Sequence, residues 1–337
     1  MAVKGAMNVP QKNPPFEMTS RILFLSTEIA ELVGRVVSTE KLSASPTLRR
    51  TNRIRSIYSS LAIEQNSLTL DQVTAILDGK RVLAPPKDIK EVQNAYEIYE
   101  RLDQLDPYSV EDLLDAHRVM TRDLVSESGE FRSRPIGVVD RDGNILHFGS
   151  LPAYVPQLVL DLLEWTKQSE LPMVIKSCVF HYEFELIHPF ADGNGRIGRL
   201  WHTLLLSKWN PIFAWLPVES IIHDRQEGYY RAINQSNSDG ASTVFIEFML
   251  EAIKSALEEA AAVSAQGKSS EAERRARIER FLQANPVIHN ADVRALLGIS
   301  SATANRILAG LCADGTLEKI RVGKSWGYRK PQGTHMR

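Results

Sequence analysis

Gly193 and Gly195 break the chain between two strong helical patterns, and that break fixes how the middle of the sequence can fold. Upstream, Pro172 to Ile187 is an apolar helical stretch that delivers His188 to its end. Downstream, Ile197, Leu200, Trp201 and Leu204 fall at i, i+3, i+4 and i+7, one face of a second helix. Between them lies His188-Pro-Phe-Ala-Asp192-Gly-Asn-Gly-Arg196-Ile-Gly-Arg199. Glycine-rich backbone feeding a helix N-terminus makes an anion site, because unpaired N–H groups and the positive dipole end point the same way. Arg196 and Arg199, three apart, project from neighbouring positions on the first turn.

Two further residues add chemistry to that loop. Asp192 is an oxygen ligand suited to a hard cation such as Mg²⁺. His188 can take up a proton near neutral pH. The combination implies a magnesium-bound polyphosphate beside a general base. A zinc site is the competing reading, since His181, Glu185 and His188 stand at i, i+4 and i+7. They fit no HExxH spacing, and Cys178 and Cys312 offer no thiolate pair, so zinc is disfavoured. His181 is expected to face the interior or to orient a neighbour.

The segment resembles the signature of the Fic family, HPFxDGNGRxxR, at every defined position. The resemblance implies a mainly α protein, a Fic helical bundle with a small β-hairpin flap, that transfers AMP from ATP to a protein hydroxyl with Mg²⁺. Carried onto this chain, it makes His188 the base for an incoming Ser, Thr or Tyr hydroxyl and Asp192 the holder of the metal. Gly193, Asn194 and Gly195 would cradle the phosphates, Asn194 also through its side-chain amide, and Arg196 and Arg199 would neutralise the β/γ region. Tyr229 and Asn234 lie where such proteins place a helix flanking the nucleotide base, and are taken as adenosine contacts. A tyrosine pair at this spacing also suits a core.

Glu64 sits near the C-terminal end of a helix expected from Thr47 to Glu64, where a carboxylate faces the negative dipole end and calls for a compensating cation. Ser60-Leu-Ala-Ile-Glu64-Gln65-Asn66 resembles the Fic inhibitory motif, Ser/Thr-x-x-x-Glu-Gly/Asn. In that family the glutamate pairs with the second signature arginine, here Arg199, and keeps ATP in an unproductive pose. Gln65 stands where the motif has Gly or Asn, which puts the local backbone geometry in question more than the charge pairing.

Elsewhere the pattern is helical. Helices are expected from Ser20 to Val37, after a Thr69–Gln72 capping box, through Ile89 to Tyr99, after Ser109, and over 156–167, 225–235 and 243–262. The exception is a hairpin across Ile136 to Phe148, turning at Asp142-Gly143-Asn144. Fic-like proteins carry such a hairpin beside the active site, where it holds the target by strand addition. Gly129-Glu130-Phe131-Arg132 ahead of it also resembles the family.

Residues 271–337 hold 12 Lys+Arg against 6 Asp+Glu, whereas the chain as a whole has a formal charge of −1. A basic module on an acidic body suggests two jobs. After a polar linker, Gln266-Gly-Lys-Ser-Ser270, three helices and two short strands resemble a winged helix-turn-helix. Its duplex DNA contacts would be Ser301, Thr303, Asn305 and Arg306 in the groove, with Lys319, Arg321 and Lys324 on phosphates. A protein-binding or dimer-forming module is the alternative.

The expected organisation is therefore an N-terminal helical region with the inhibitory motif (1–106), a Fic core (107–262), a linker (263–272) and a winged helix (273–330). Met1 to Phe16 reads as a poorly ordered arm without the apolar segment of a signal peptide. No apolar run approaches a bilayer span, and two distant cysteines favour a reducing, cytoplasmic home. The partners expected are ATP, a target protein (the chain itself included) and, for a family that often dimerises, a second copy. Two other functions stay open: removal of AMP or another nucleotidyl or phosphoryl transfer by the same site, and a DNA-binding regulator whose Fic core acts on itself.

Overall fold

The structure, a computed structural model, describes residues 13–38, 45–139, 145–322 and 325–331, with the side chains of 138–139, 145–148, 263–270 and 284 left aside. It divides into two compact units, residues 1–261 and 262–337.

The first unit is helical. α1 (Ser20–Val37) is capped by Thr19, whose side chain accepts from Ile22 N. α2 (Pro46–Ile63) has Ser45 as cap and proline at its first position, where a missing N–H costs nothing. α3 (Leu70–Leu77) opens with the Thr69–Gln72 capping box. α4 (Pro86–Glu100) and α5 (Val110–Thr121, capped by Ser109) follow. A two-stranded hairpin pairs β1 (Gly137–Val139) antiparallel with β2 (Ile145–Phe148). The expected turn at Asp142-Gly143-Asn144 lies outside the described residues.

The core is organised by α7 (Met173–Ile187) and α8 (Asn194–Trp209), which pack side by side after α6 (Val155–Gln168). α7 is apolar on all sides, so it must be surrounded; Ile175, Cys178, Val179, Phe180 and Phe184 are fully buried. α8 buries Ile197, Leu200, Trp201 and Leu204, the face read from the sequence. Each large side chain so buried stabilises the fold by about 1.5–3 kcal/mol. Trp201 satisfies its indole N–H on Pro107 O at 2.9 Å. A 3-10 turn (Pro211–Trp215), α9 (Val218–Asp224) and α10 (Gln226–Asp239) close the bundle.

The expected linker is replaced by helix. α11 runs unbroken from Thr243 to Ala284, because a run rich in Ala, Glu, Arg and Leu outweighs the roughly 1 kcal/mol that one glycine costs. The expected arm also ends early. Ser242 N donates to Pro15 O at 2.9 Å, and Phe16 packs on the core. Residues 1–12 lie outside the described residues.

The second unit contains α12 (Asn290–Leu297), α13 (Ser301–Ala313), β3 (Glu318–Val322) and β4 (Ser325–Arg329). Ile288 bridges Tyr328 beside the hairpin. Ile278, Ile288, Val293, Ala304, Leu308 and Leu311 fill its own core. His289, not Asn290, caps α12, in a box with Asp292. Among the described residues no single helix is long and apolar enough to cross a membrane.

Candidate active site

α7 ends at His188 in the left-handed region, φ 52°, where most non-glycine residues are strained. The surroundings hold it there. The Arg132 guanidinium, only 3% exposed, donates from Nε to His188 O at 2.6 Å, from Nη1 to Arg134 O at 2.8 Å and from Nη2 to Ser150 O. One side chain thus ties the end of α7 to both edges of the hairpin segment. His188 Nδ1 lies 3.3 Å from Glu185 O. A carbonyl only accepts, so Nδ1 carries the hydrogen and Nε2 is the basic position.

The loop turns at Gly193, φ 87°, and its backbone then enters α8. His117 braces it from α5. Gly129 N donates to His117 Nδ1 at 2.9 Å, so the ring is protonated at Nε2, which donates to Asp192 O at 2.9 Å. The ring stacks on Phe190 at 3.7 Å between centroids. Asn194, 2% exposed, is engaged in the same bracing: Phe190 N donates to its Oδ1 at 2.9 Å and its Nδ2 donates to Phe190 O at 2.8 Å. Its amide shapes the loop in this conformation rather than projecting from it.

Both arginines are buried and both meet a carboxylate from the N-terminal helices. Arg199 Nη2 donates to Glu64 Oε1 at 2.7 Å and to Ser60 O at 2.9 Å, and its Nε donates to Ser60 Oγ at 3.1 Å. Burial alone would lower the arginine's pKa, but Glu64 reverses this and holds it firmly charged. The Glu64 carboxylate also lies against Gly195, where any Cβ would run into Oε1. It therefore covers the start of α8, the place with the loop's anion-binding character. Gln65, next in sequence, adopts φ 66°. That explains why the inhibitory pattern has Gly or Asn there: both enter this region cheaply. Gln226 Nε2 and Tyr230 Oη donate to Ile63 O at 2.9 and 3.4 Å, fixing the turn from α10.

Arg196 donates from Nη1 to Glu91 Oε1 at 3.3 Å and from Nη2 to Asp192 Oδ1 at 2.9 Å. Glu91 also accepts from Asn66 Nδ2 at 2.8 Å, so the turn after Glu64 and the first arginine share one carboxylate. Arg132, His117, Glu91 and Asn66 carry much of this geometry, yet sequence reasoning assigned none of them a role. Arg132 and Asn66 had a signal, their places in the Gly-Glu-Phe-Arg segment and in the segment Ser60 to Asn66.

Asp192 is half exposed. Gly193 N and Arg196 Nη2 both land on Oδ1, leaving Oδ2 as the oxygen for a cation. Among the described residues no group of three or more His, Cys, Asp or Glu could hold a metal alone. One carboxylate fits Mg²⁺ only when substrate phosphates complete the shell, its usual habit.

Tyr229 and Asn234 sit in different surroundings: Tyr229 is buried within electrostatic reach of Arg199 and Glu64, and Asn234 is exposed. Tyr229 is 2% exposed in an aromatic cluster with His181, Tyr230 and Phe245, its hydroxyl 3.1 Å from His181 Nε2. Tyr230, the next residue, donates from its hydroxyl to Ile63 O, one residue before Glu64, at 3.4 Å. Asn234 lies exposed on α10. In the second unit Asn305 and Arg306 are exposed, but Asn305 Oδ1 accepts from Asn290 Nδ2 at 2.6 Å. Ser301 Oγ donates to Asn290 Oδ1 at 3.1 Å, and Thr303 Oγ1 bonds Ser300 Oγ at 3.0 Å. Lys324 lies outside the described residues.

Arg132→Lys is expected to destabilise the first unit by about 3 kcal/mol, since a point charge replaces a fork serving four carbonyls, those of Arg134, Ser150, Ile187 and His188. A thermal melt should fall by roughly 5–10 °C, and an unchanged melt would refute the staple.

The buried titratable groups set a pH profile. Burial lowers His117 and His202 from 6.5 to about 4, and lowers His181 well below 6.5. Burial raises Glu183 and Glu185 from 4.5 to about 7 and about 8. Below pH 6.5 the unfolded chain gains protons on the histidines that the fold refuses, so these groups remove stability as pH falls. Above 4.5 the fold keeps protons on the glutamates that the unfolded chain releases, so these remove stability as pH rises toward 8. The urea midpoint should peak near pH 6.5 and fall on both sides; a midpoint rising steadily to pH 8 would contradict the assignment.

A Fic/DOC family model matches residues 107–206. The chain is similar to a protein adenylyltransferase fic-1 of Caenorhabditis elegans, 31% identical over 196 residues, covering 54% of this chain and 36% of the other. It is 30% identical over 205 residues to a protein adenylyltransferase Fic of Nematostella vectensis, covering 57% and 45%. It thus spans less than half the length of these curated relatives. The crystal structure of a Fic family protein from Desulfovibrio desulfuricans G20 superposes with TM-score 0.73 at 40% identity, covering 97% of this chain and all of that one.

Proposed function

The chain belongs to the Fic family, and from that premise we propose that it is a protein adenylyltransferase, moving AMP from ATP to a Ser, Thr or Tyr hydroxyl of a target protein. The supporting observation is the conjunction at one loop: a histidine with its basic nitrogen set by Glu185 O, a glycine-led helix start, and an arginine held by Glu64. His188 Nε2 takes the hydroxyl proton as the oxygen bonds to the α-phosphorus of ATP. The bond from that phosphorus to the bridging oxygen breaks and pyrophosphate leaves. The backbone N–H groups opening α8, with Arg196 and Arg199, stabilise charge on the phosphates, which is most of what phosphoryl chemistry asks of a protein. Asp192 would hold Mg²⁺, which when bound neutralises the α- and β-phosphates.

The test is incubation of the full chain and candidate targets with ATP labelled at either the α- or the γ-phosphate. Label from the α position on protein supports the reading. Label from the γ position only, or release of AMP from already modified protein without transfer, would replace it with one of the alternative activities.

For the second unit we propose duplex DNA contact. On its hairpin, exposed Trp326 carries Lys319 Nζ at 4.4 Å and Arg321 Cζ at 5.0 Å from the ring centroid, a cationic patch with a flat apolar centre. Binding of duplex DNA should weaken steeply with salt, by orders of magnitude from 50 to 200 mM if several phosphates are engaged. Salt-insensitive or absent binding would leave a protein-binding role.

A further inference from the structure

At the opposite end of α2 from Glu64, the first turns of the helix wall a separate cleft of about 210 Å³. Arg49, Arg50 and Arg53 line it with Tyr96 and Glu100 of α4 and with Trp215. Arg53 is 5% exposed, its guanidinium 4.6 Å from the Trp215 ring centroid and 5.2 Å from that of Tyr99. Arg49 lies over the same indole at 5.2 Å. Asn52 Nδ2 holds Trp215 from α2 by donating to its carbonyl at 2.9 Å.

What is unusual is the hydrogen bonding. Arg53 Nε is buried without an acceptor. The facing carboxylate, Glu100, is half exposed and stands 3.6 Å away, an ion pair but not a hydrogen bond. A guanidinium carries five donors, and a buried one without acceptors is costly. Burial lowers the Arg53 pKa accordingly, with Glu100 and Glu219 opposing. Arg50 is different, being engaged with Asp78 Oδ1 at 2.9 Å. With Arg50 paired to Asp78, Arg49 and Arg53 against Glu100 leave the lining with a surplus of one positive charge.

We propose that this cleft is a binding site for a small phosphomonoester, gripped by the Arg53 and Arg49 guanidiniums above Trp215 and separate from the nucleotide loop. The planar fork of arginine matches phosphate oxygens in pairs, and desolvation strengthens such bonds. A phosphomonoester carries about −1.5 to −2 at neutral pH, opposite in sign to the net charge of the lining. The volume admits a phosphate bearing a small organic group, and an aromatic group would add contact with the indole.

The test uses the full chain with inorganic phosphate and phenyl phosphate, and phenol as the uncharged control, followed by calorimetric titration and thermal melting. Wild type should bind both phosphates, phenyl phosphate more tightly, and phenol not at all. Arg49→Gln and Arg53→Met should each lose at least about tenfold in affinity. Arg53→Met should also melt at or above the wild-type temperature without ligand, because an unsatisfied buried cation is replaced by an apolar stem. Equal binding by wild type and both variants would assign the anion to the loop at α8 and overturn the proposal. So would a lower ligand-free melt for Arg53→Met with phosphate affinity retained, which would make Arg53 a packing residue.

Discussion

Glu64→Gly should raise AMP incorporation into the chain or its target about ten- to a hundredfold. The estimate follows from what the substitution removes: one charge-assisted hydrogen bond at 2.7 Å to a fully buried arginine, worth about 1.5–3 kcal/mol. The fold should survive, because Arg199 keeps Ser60 O and Ser60 Oγ as acceptors. Removing the carboxylate also clears the approach to Gly195, so the gain has an electrostatic and a steric part. Glu64→Gln separates them, since it keeps the bulk and loses the charge, and it should give an intermediate rate. Intact-mass spectrometry after incubation with ATP and Mg²⁺ reads all three proteins. Equal mass gain in wild type and Glu64→Gly would show that the Arg199 pairing does not restrain transfer.

His188→Ala should lower transfer by about 10²–10⁴, the usual contribution of a positioned general base, while nucleotide binding persists. Alanine keeps the left-handed strain that His188 already bears but loses the contact with Glu185 O, so a collapse of the loop could imitate the loss of the base. His188→Asn avoids this, because asparagine tolerates the left-handed region and its amide can still donate to Glu185 O. Both variants should be comparably inactive, and both should bind ATP in a titration. Substantial activity in His188→Asn would mean that the imidazole is not the base.

Most helix limits were readable because their signals are local. Thr69 and Gln72 box one start, Ser109 caps another, and α1, α12 and α13 have the spans their apolar spacing implies. The pairing of Glu64 with Arg199 was readable only through resemblance, since 135 residues separate them. The bracing residues were not readable for the same reason without that help. His117 meets Asp192 across 75 positions and Glu91 meets Arg196 across 105, and no periodicity encodes such meetings. Tyr229 and Tyr230 show another limit. Neighbours on a helix face directions about 100° apart, so the sequence supplied the pair but not which ring enters the core. α9 escaped notice because seven residues are too few to display a period.

The carboxylate resting against Gly195 has a consequence for how such a chain would behave in a cell. In the proposed adenylyltransferase, Glu64 and the triphosphate tail of ATP would contend for Arg199 and the mouth of α8. The competition is intramolecular on one side and depends on nucleotide supply on the other. Dormancy would then be graded rather than absolute, its depth following the ratio of ATP to the standing affinity of one side chain for one arginine.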